Sequence, residues 1–214
     1  MNNKISIKSN EIVPIDTKND NFKTLMNIYE TAMFQVKDEL DVVKDNLNSS
    51  NNYDVINTIN YRIKNPDSIL EKMERKNYGL NYNNLIRNIN DVAGIRVVCP
   101  FKSDIIKIKE SIENIDNIEI LEEKDYITNP KKSGYSGFHI IVQTPVMVGN
   151  NQAKVKTEIQ IRTMAMDFWA TTEHKIKYKA KSKISKIDAR KMRRYSTVIN
   201  VLDDKINNIN KKYK

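Results

Sequence analysis

Apolar residues recur at three- and four-residue steps from Asn21 to Leu47, at Leu25, Tyr29, Ala32, Met33, Val36, Leu40, Val43 and Leu47. That spacing lines one face of a long amphipathic helix. The polar run Asn48-Ser49-Ser50-Asn51-Asn52 ends it. Residues 1–20 are polar and aperiodic and read as a flexible lead-in. Tyr61-Arg62-Ile63-Lys64 alternates and predicts a strand. Asn65-Pro66 supplies an N-cap and a proline at the first helical position, and Gly79 a stop, so a helix is expected over 66–78. Leu85 to Asn90 predicts a short helix, and Gly94 to Cys99 a buried strand ended by Pro100. Ser103 is expected to cap a helix reaching about Asn114, and Ile118 to Tyr126 reads as strand. Residues 127–137 collect Pro, Lys, Ser and Gly and form a loop. Phe138 to Thr144 and Lys154 to Thr163 are two further strands about a turn at Gly149-Asn150-Asn151. Met164 to Lys181 is helical, and a last helix runs from about Ser185 to the end. Helices at both ends with about five strands between them predict one α+β domain, a sheet covered by helices.

Composition narrows the class. A chain of 214 residues buries roughly 70% of its unfolded surface and needs no staple. Its 36 Lys+Arg against 27 Asp+Glu give +9, which favours an anionic partner such as nucleotide, nucleic acid or a membrane surface. One cysteine, Cys99, excludes an internal disulfide and a CxxC metal framework. Two histidines, His139 and His174, exclude a His-rich metal cluster. Mean hydropathy is −0.61. No stretch approaches the ~20 apolar residues of a membrane span, and Met1 to Ser6 opens no signal-peptide core. A cytoplasmic protein without a membrane partner is expected.

Candidate chemistry gathers on a few segments. Alternation around Glu158 puts Val155, Thr157, Ile159 and Ile161 on one face and Lys156, Glu158, Gln160 and Arg162 on the other. The apolar row belongs to a core; the polar row is either a solvated face or the wall of a site. Arg62 and Lys64 share a face and repel unless an anion lies between them. The next helix adds Ser68, Lys72 and Arg75, with free N–H groups in its first turn; the alternative is a solvated basic face. Asp91, three residues before Gly94, is an ordinary turn residue unless a second carboxylate shares a magnesium ion with it, and Glu158 is the candidate. The loop from Tyr126 to His139 offers cations, Gly134, Gly137 and Tyr135 as an exposed aromatic, suited to a flap that stacks a base and touches a phosphate; the alternative is a packed loop aromatic. Phe168, Trp169 and Tyr178 are expected in the core and His174 as a satisfied buried histidine. Asp167 only accepts hydrogen bonds, which complements the all-donor edge of guanine. Residues 175–194 carry ten Lys/Arg against one Asp, the strongest basic stripe in the chain.

Five stretches, in order, resemble the synthetase domain of the RelA/SpoT family, which makes the alarmones pppGpp and ppGpp. They are Arg62-x-Lys64-x-x-x-Ser68, Asp91-x-x-Gly94-x-Arg96, Tyr126-x-x-x-Pro130-Lys131-x-Ser133-Gly134-Tyr135-x-x-x-His139, Glu158-Ile159-Gln160-Ile161-Arg162-Thr163, and Met166-Asp167-Phe168-Trp169-Ala170 with Glu173-His174. The resemblance covers about residues 20–200. Neither histidine is followed by the Asp of the family's hydrolase signature, and no room for the long enzymes' regulatory domains is expected. The chain therefore resembles a stand-alone small alarmone synthetase, with the lead-in over 1–20, the synthetase domain over 21–184 and a C-terminal helix for oligomerisation over 185–214.

The resemblance implies a nucleotidyltransferase-like mixed sheet of about five strands flanked by helices. It implies transfer of the β,γ-pyrophosphate of ATP to the 3′-hydroxyl of GDP or GTP, leaving AMP, by positioning and charge neutralisation. By resemblance Asp91 and Glu158 hold Mg2+, with Glu158 also the general base. Arg62 and Arg96 sandwich adenine through planar guanidiniums. Lys64, Ser68, Lys72 and Arg75 hold the ATP phosphates, and Tyr135 stacks on guanine. Lys131 and His139 meet the acceptor's phosphates, and Gln160 and Asp167 its ribose or base.

Two departures stand out. The family loop commonly reads Gly-Tyr-Arg-Ser where this chain has Gly134-Tyr135-Ser136-Gly137, which removes a cation and adds a loosening glycine; GMP, GDP and GTP all stay open as acceptors. Asp167 is Asn in some relatives, and Asp167→Ala is expected to weaken acceptor binding more than ATP binding. Small members are commonly homotetramers. The helix over 25–47 and Val198, Ile199, Leu202, Ile206 and Ile209 suit such contacts or pack internally. Some relatives are tuned by alarmone or RNA, and no residue here decides that. Two readings compete. A nucleic-acid-binding module predicts steep salt dependence but leaves Asp91 and Glu158 repelling a polyanion. A catalytically inactive nucleotide sensor is opposed by retention of both carboxylates. No GxxxxGK[ST] loop is present.

Overall fold

The computed structural model describes residues 13–180 and 184–213. The first twelve residues of the expected lead-in and the expected helix end at Lys181 lie outside them. Helix α1 (Asp20–Ser49) starts at Asn19, whose side chain accepts from the Asn21 N–H. It is followed by β1 (Thr58–Ile63), α2 (Pro66–Arg75), α3 (Tyr82–Asn88), β2 (Ala93–Cys99), α4 (Lys102–Glu113), β3 (Glu119–Asp125), β4 (Phe138–Val148), β5 (Asn151–Thr163), α5 (Met164–Lys179) and α6 (Lys186–Asn210). Within the lead-in, Pro14 bridges Asn81 and the Ile15 N–H donates to Leu80 O.

The five strands form one mixed sheet in the order β1-β2-β5-β4-β3. β2 and β5 are parallel, and the other three pairings are antiparallel. Register sets which residues share a face. Ile95 pairs with Ile159, which pairs with Ile140, and these three are buried. Against that row packs α1, through Tyr29, Ala32, Met33, Val36 and Leu40, with Ile105, Ile108 and Ile112 of α4 beside it. Burying a leucine such as Leu40 contributes roughly 1.5–3 kcal/mol. On the opposite face stand Arg62, Gly94, Arg96, Glu158, Gln160, Arg162 and His139, one pleat out of phase with the core. One face of the sheet builds the core and the other carries polar groups.

Several boundaries differ from expectation for local reasons. α2 ends at Arg75 because Asn77 takes a left-handed conformation, φ 54°, before Gly79 is reached. Ser103 does not cap α4: Phe101 is the N-cap and makes no side-chain cap bond. The Ser103 N–H instead donates to Asn207 Oδ1 of α6 at 2.9 Å. α6 docks through a polar face, with Thr163 Oγ1 donating to Asp203 Oδ2 at 2.8 Å and Lys102 paired with Asp204 at 2.8 Å. Its apolar Val198, Leu202, Ile206 and Ile209 point outward and are exposed.

Candidate active site

Asp91 lies just before β2, and chain separation hides its surroundings. Lys64, just after β1, donates to Asp91 Oδ2 at 3.1 Å, and Lys72 of α2 donates to Oδ1 at 2.8 Å. Lys64 is brought there by its own N–H, which bonds Val92 O at 2.8 Å. Burial pushes the Asp91 carboxyl up, but the hydrogen bonds and charges of Lys72 and Lys64 outweigh it and hold it below its ordinary value. Ser68 is half-buried one turn before Lys72, and Arg75 is exposed one turn after it.

Arg62 is exposed and pairs with Gly94, which pairs in turn with Glu158. Gly94 thus leaves a floor with no side chain between a cation and a carboxylate. Arg96 stands two residues along β2, opposite Gln160. Its guanidinium is held, with Nη1 donating to Asp167 Oδ1 at 3.0 Å.

Glu158 sits in a chain of hydrogen bonds that runs from Tyr135 in the loop before β4 to Asp167 in α5. Glu158 Oε1 lies 3.0 Å from His139 Nδ1, and His139 Nε2 lies 2.5 Å from the Tyr135 hydroxyl. A neutral imidazole donating from Nδ1 to the carboxylate leaves Nε2 to accept from the phenol. Gln160 Nε2 donates to Glu158 Oε2 at 2.6 Å, and Arg162 Nη2 donates to Gln160 Oε1 at 2.6 Å. Arg162 Nη1 then reaches Asp167 Oδ1 at 3.0 Å. Burial pushes the Glu158 carboxyl up, yet His139 and Gln160 outweigh it and leave it lowered, with Asp91's charge opposing them. Asp91 stands two residues before Ala93, which pairs with Thr157, so the sheet brings the two carboxylates to the same end of β2 and β5.

The loop corrects one expectation. Tyr135 is not exposed: it is only 9% accessible, with its hydroxyl on His139 and the Arg162 guanidinium 5.1 Å from its ring centre. Gly137 does not merely loosen the loop: a Cβ there would stand 3.0 Å from the Tyr135 hydroxyl oxygen. Lys131 Nζ lies over the rings of Tyr126 and Tyr135, at 4.3 and 4.9 Å. Burial pushes its pKa down, and Glu158 opposes this.

Other expectations fall in α5. Trp169 is buried as expected, but Phe168 is 62% and Tyr178 81% exposed, and His174 is exposed rather than buried. Asp167 carries both Arg96 and Arg162 on one oxygen, so it ties β2 to β5 across the polar face. The residue missed as a site member is Arg162. Its place in the polar row around Glu158 was the available pointer.

A model of the region found in RelA and SpoT proteins matches residues 61–183. The chain belongs to the RelA/SpoT family. All the residues from Arg62 to Asp167 named above lie inside the RelA/SpoT region, while α1 and α6 lie outside it. The GTP pyrophosphokinase YwaC of Bacillus subtilis is 33% identical over 202 residues, covering 91% of this chain and 96% of the relative. The GTP pyrophosphokinase YjbM of the same organism is 33% identical over 181 residues, 85% of this chain and 84% of the relative. The crystal structure of small alarmone synthetase 1 from Bacillus subtilis bound to its product pppGpp matches with a TM-score of 0.84 at 30% identity, covering 91% of this chain and 98% of that one. The mixed five-stranded sheet with its helices is the fold of that RelA/SpoT relative.

Proposed function

We propose that the chain is an ATP:guanosine-nucleotide 3′-pyrophosphotransferase, a GTP pyrophosphokinase making (p)ppGpp-type alarmones from ATP and GTP, GDP or GMP. The observation that carries this is Asp91 and Glu158 at one end of the paired strands β2 and β5, beside the bare floor at Gly94, with Lys64 and Lys72 on Asp91 and Arg62 and Arg96 on the same face of the sheet. The near full-length likeness to YwaC and to a synthetase solved with pppGpp supports it.

The acceptor's 3′ oxygen attacks the β-phosphorus of ATP. The bond from that phosphorus to the α,β-bridging oxygen breaks, and AMP leaves with the oxygen. Glu158 takes the 3′-hydroxyl proton as the new bond forms; its lowered pKa keeps it ionised for that step. Lys64, Lys72 and Ser68 receive the phosphates, with Arg75 at the rim. Arg62 and Arg96 flank adenine. Tyr135, Gln160, Asp167, Lys131 and His139 receive the guanosine nucleotide. Two hard carboxylates fit a magnesium ion, which takes one or two carboxylates plus phosphate oxygens and water. Among the described residues no three His, Cys, Asp or Glu converge to hold an ion alone. Asp91 and Glu158 would hold it, and it would supply charge neutralisation on the transferred group.

Among the described residues no helix is long and apolar enough to cross a membrane, and a cytoplasmic enzyme meets both substrates. The outward apolar face of α6 supports a homotetramer. The test is to incubate the purified chain with Mg2+, ATP and each of GMP, GDP and GTP, and to separate the nucleotides by ion exchange. AMP formed in step with a more anionic guanosine product is expected, and Asp91→Ala should abolish both. No AMP with any acceptor would refute the reading.

A further inference from the structure

Arg162 stands apart from the other residues of the polar row because its three side-chain partners, Gln160, Asp167 and Tyr135, are all residues proposed above to receive the guanosine nucleotide. It is 8% exposed, yet it faces the sheet's polar face and not the core. One amino group donates to Gln160 Oε1 at 2.6 Å and the other to Asp167 Oδ1 at 3.0 Å. The guanidinium carbon Cζ lies 5.1 Å from the centre of the Tyr135 ring. Three partners of three chemical kinds, amide, carboxylate and aromatic, are thus fixed by one planar fork. A buried guanidinium is costly unless it is paired. Here Nε remains buried with no partner, so the position is not explained by stability alone. Asp167 Oδ1 also accepts from Arg96 of the donor half, while Oδ2 makes no hydrogen bond to a described residue.

We propose that Arg162 is the positioning residue of the acceptor half: its fork holds Tyr135, Gln160 and Asp167 in the one arrangement that receives guanine, with Asp167 Oδ2 presented to the base. This rests on the pyrophosphate-transfer reading for the identity of the acceptor. Lysine keeps the charge but cannot fork to two oxygens and stack at once. Methionine keeps the stem and removes both bonds. Arg96 still holds Asp167 in either variant, so the donor half keeps its geometry.

The test measures nucleotide binding by calorimetry for wild type, Arg162→Lys and Arg162→Met, with GTP, ITP and a non-hydrolysable ATP analogue. ITP lacks the guanine 2-amino group that Asp167 accepts. Arg162→Met should weaken GTP binding about ten- to hundredfold while ATP-analogue binding stays within about twofold. Arg162→Lys, which guards against a variant that fails to fold, should weaken GTP binding about tenfold and shrink the wild-type preference for GTP over ITP at least about threefold. A purely structural arginine would lower all three affinities together. Equal weakening of GTP and ATP analogue, or an unchanged GTP-to-ITP ratio in Arg162→Lys, would overturn the proposal. Failure of the wild type to release AMP in the transfer assay would overturn the reaction instead, and the binding split would still decide Arg162.

Discussion

A single methyl group at Gly134 should separate the acceptor loop from α6. Gly134 has φ +88°, and a Cβ built there would stand 1.9 Å from Ser196 Oγ and 2.7 Å from Ser196 Cβ. Ser196 is 2% exposed in the middle of α6 and has no room to retreat. Two costs therefore combine in Gly134→Ala. A non-glycine residue in the left-handed region costs roughly 1–2 kcal/mol, and overpacking a filled contact costs about 1–3 kcal/mol. The expected loss is about 2–5 kcal/mol. Only the second part is relieved by altering Ser196. Ser196→Gly removes both clashing atoms at a helix-interior cost of about 1 kcal/mol, whereas Ser196→Ala leaves the Cβ at 2.7 Å. Urea unfolding of wild type, both single variants and Gly134→Ala/Ser196→Gly should give a favourable coupling of about 1–3 kcal/mol, and a smaller one with Ser196→Ala. Because the loop carries Lys131 and Tyr135, Gly134→Ala should also raise the acceptor KM more than the ATP KM. A loss below about 1 kcal/mol, or strict additivity of the two changes, would refute the contact between loop and helix.

Glu158→Gln should lower kcat about 10²- to 10⁴-fold with both nucleotides still bound, as rapid-quench and calorimetry would report. The lowered carboxyls of Asp91 and Glu158 contribute stability that is fully present above the unfolded carboxylate range, about pH 4 to 4.5, and is lost as pH falls through their folded values; Glu158→Gln should flatten that acid limb in denaturant titrations across pH. Asp203 has the opposite sign. Burial pushes its carboxyl up against the pull of Thr163 and Lys102, so ionisation opposes folding at neutral pH and stability is gained as pH drops through the raised value. Asp203→Asn keeps an acceptor for Thr163 and should be neutral to stabilising by up to about 1 kcal/mol at pH 7, read by thermal melts at two pH values.

What the sequence made legible were the parts governed by local periodicity. Alternation along β5 separated Ile159 from Glu158 correctly, and parallel pairing with β2 then carried the same two faces across to Arg96 and Arg62. The Asn65-Pro66 start of α2 was equally local. Pairings across long stretches of chain were not legible. Asp91 meets Lys64 and Lys72 only because β1 and α2 fold back beside β2, and no spacing encodes that. Ser103 read as a cap because a serine before a helical run usually is one, yet Asn207, far along the chain, serves the N–H instead. Tyr135 read as exposed because loop aromatics with glycine neighbours often are, but His139 and Arg162 close over it. Arg162 lay in the polar row read as a solvated face or a site wall, and its pairing with Asp167 rests on the fold bringing α5 against β5.

The ionic balance of the site bears on what ATP would do to these contacts. Arg62, Lys64, Lys72, Arg96, Lys131 and Arg162 stand against Asp91, Glu158 and Asp167. Lys64 and Lys72 both donate to Asp91. On the pyrophosphokinase reading, an arriving triphosphate would replace Asp91 on these lysines, exchanging one anion for another. Such an exchange would free Asp91 to hold a magnesium ion, which would neutralise charge on the transferred group. Asp91→Asn separates the two roles. With chelator present, the released Lys64 and Lys72 should hold ATP as tightly as wild type or up to about tenfold more tightly, because the competing carboxylate is gone. With Mg2+ restored, turnover should remain at least about a hundredfold down. Calorimetry under chelation and AMP release under Mg2+ read the two effects independently. If chelated ATP binds the variant more weakly than wild type, Asp91 is not a competitor for the lysines but the group that positions them, and the exchange does not occur.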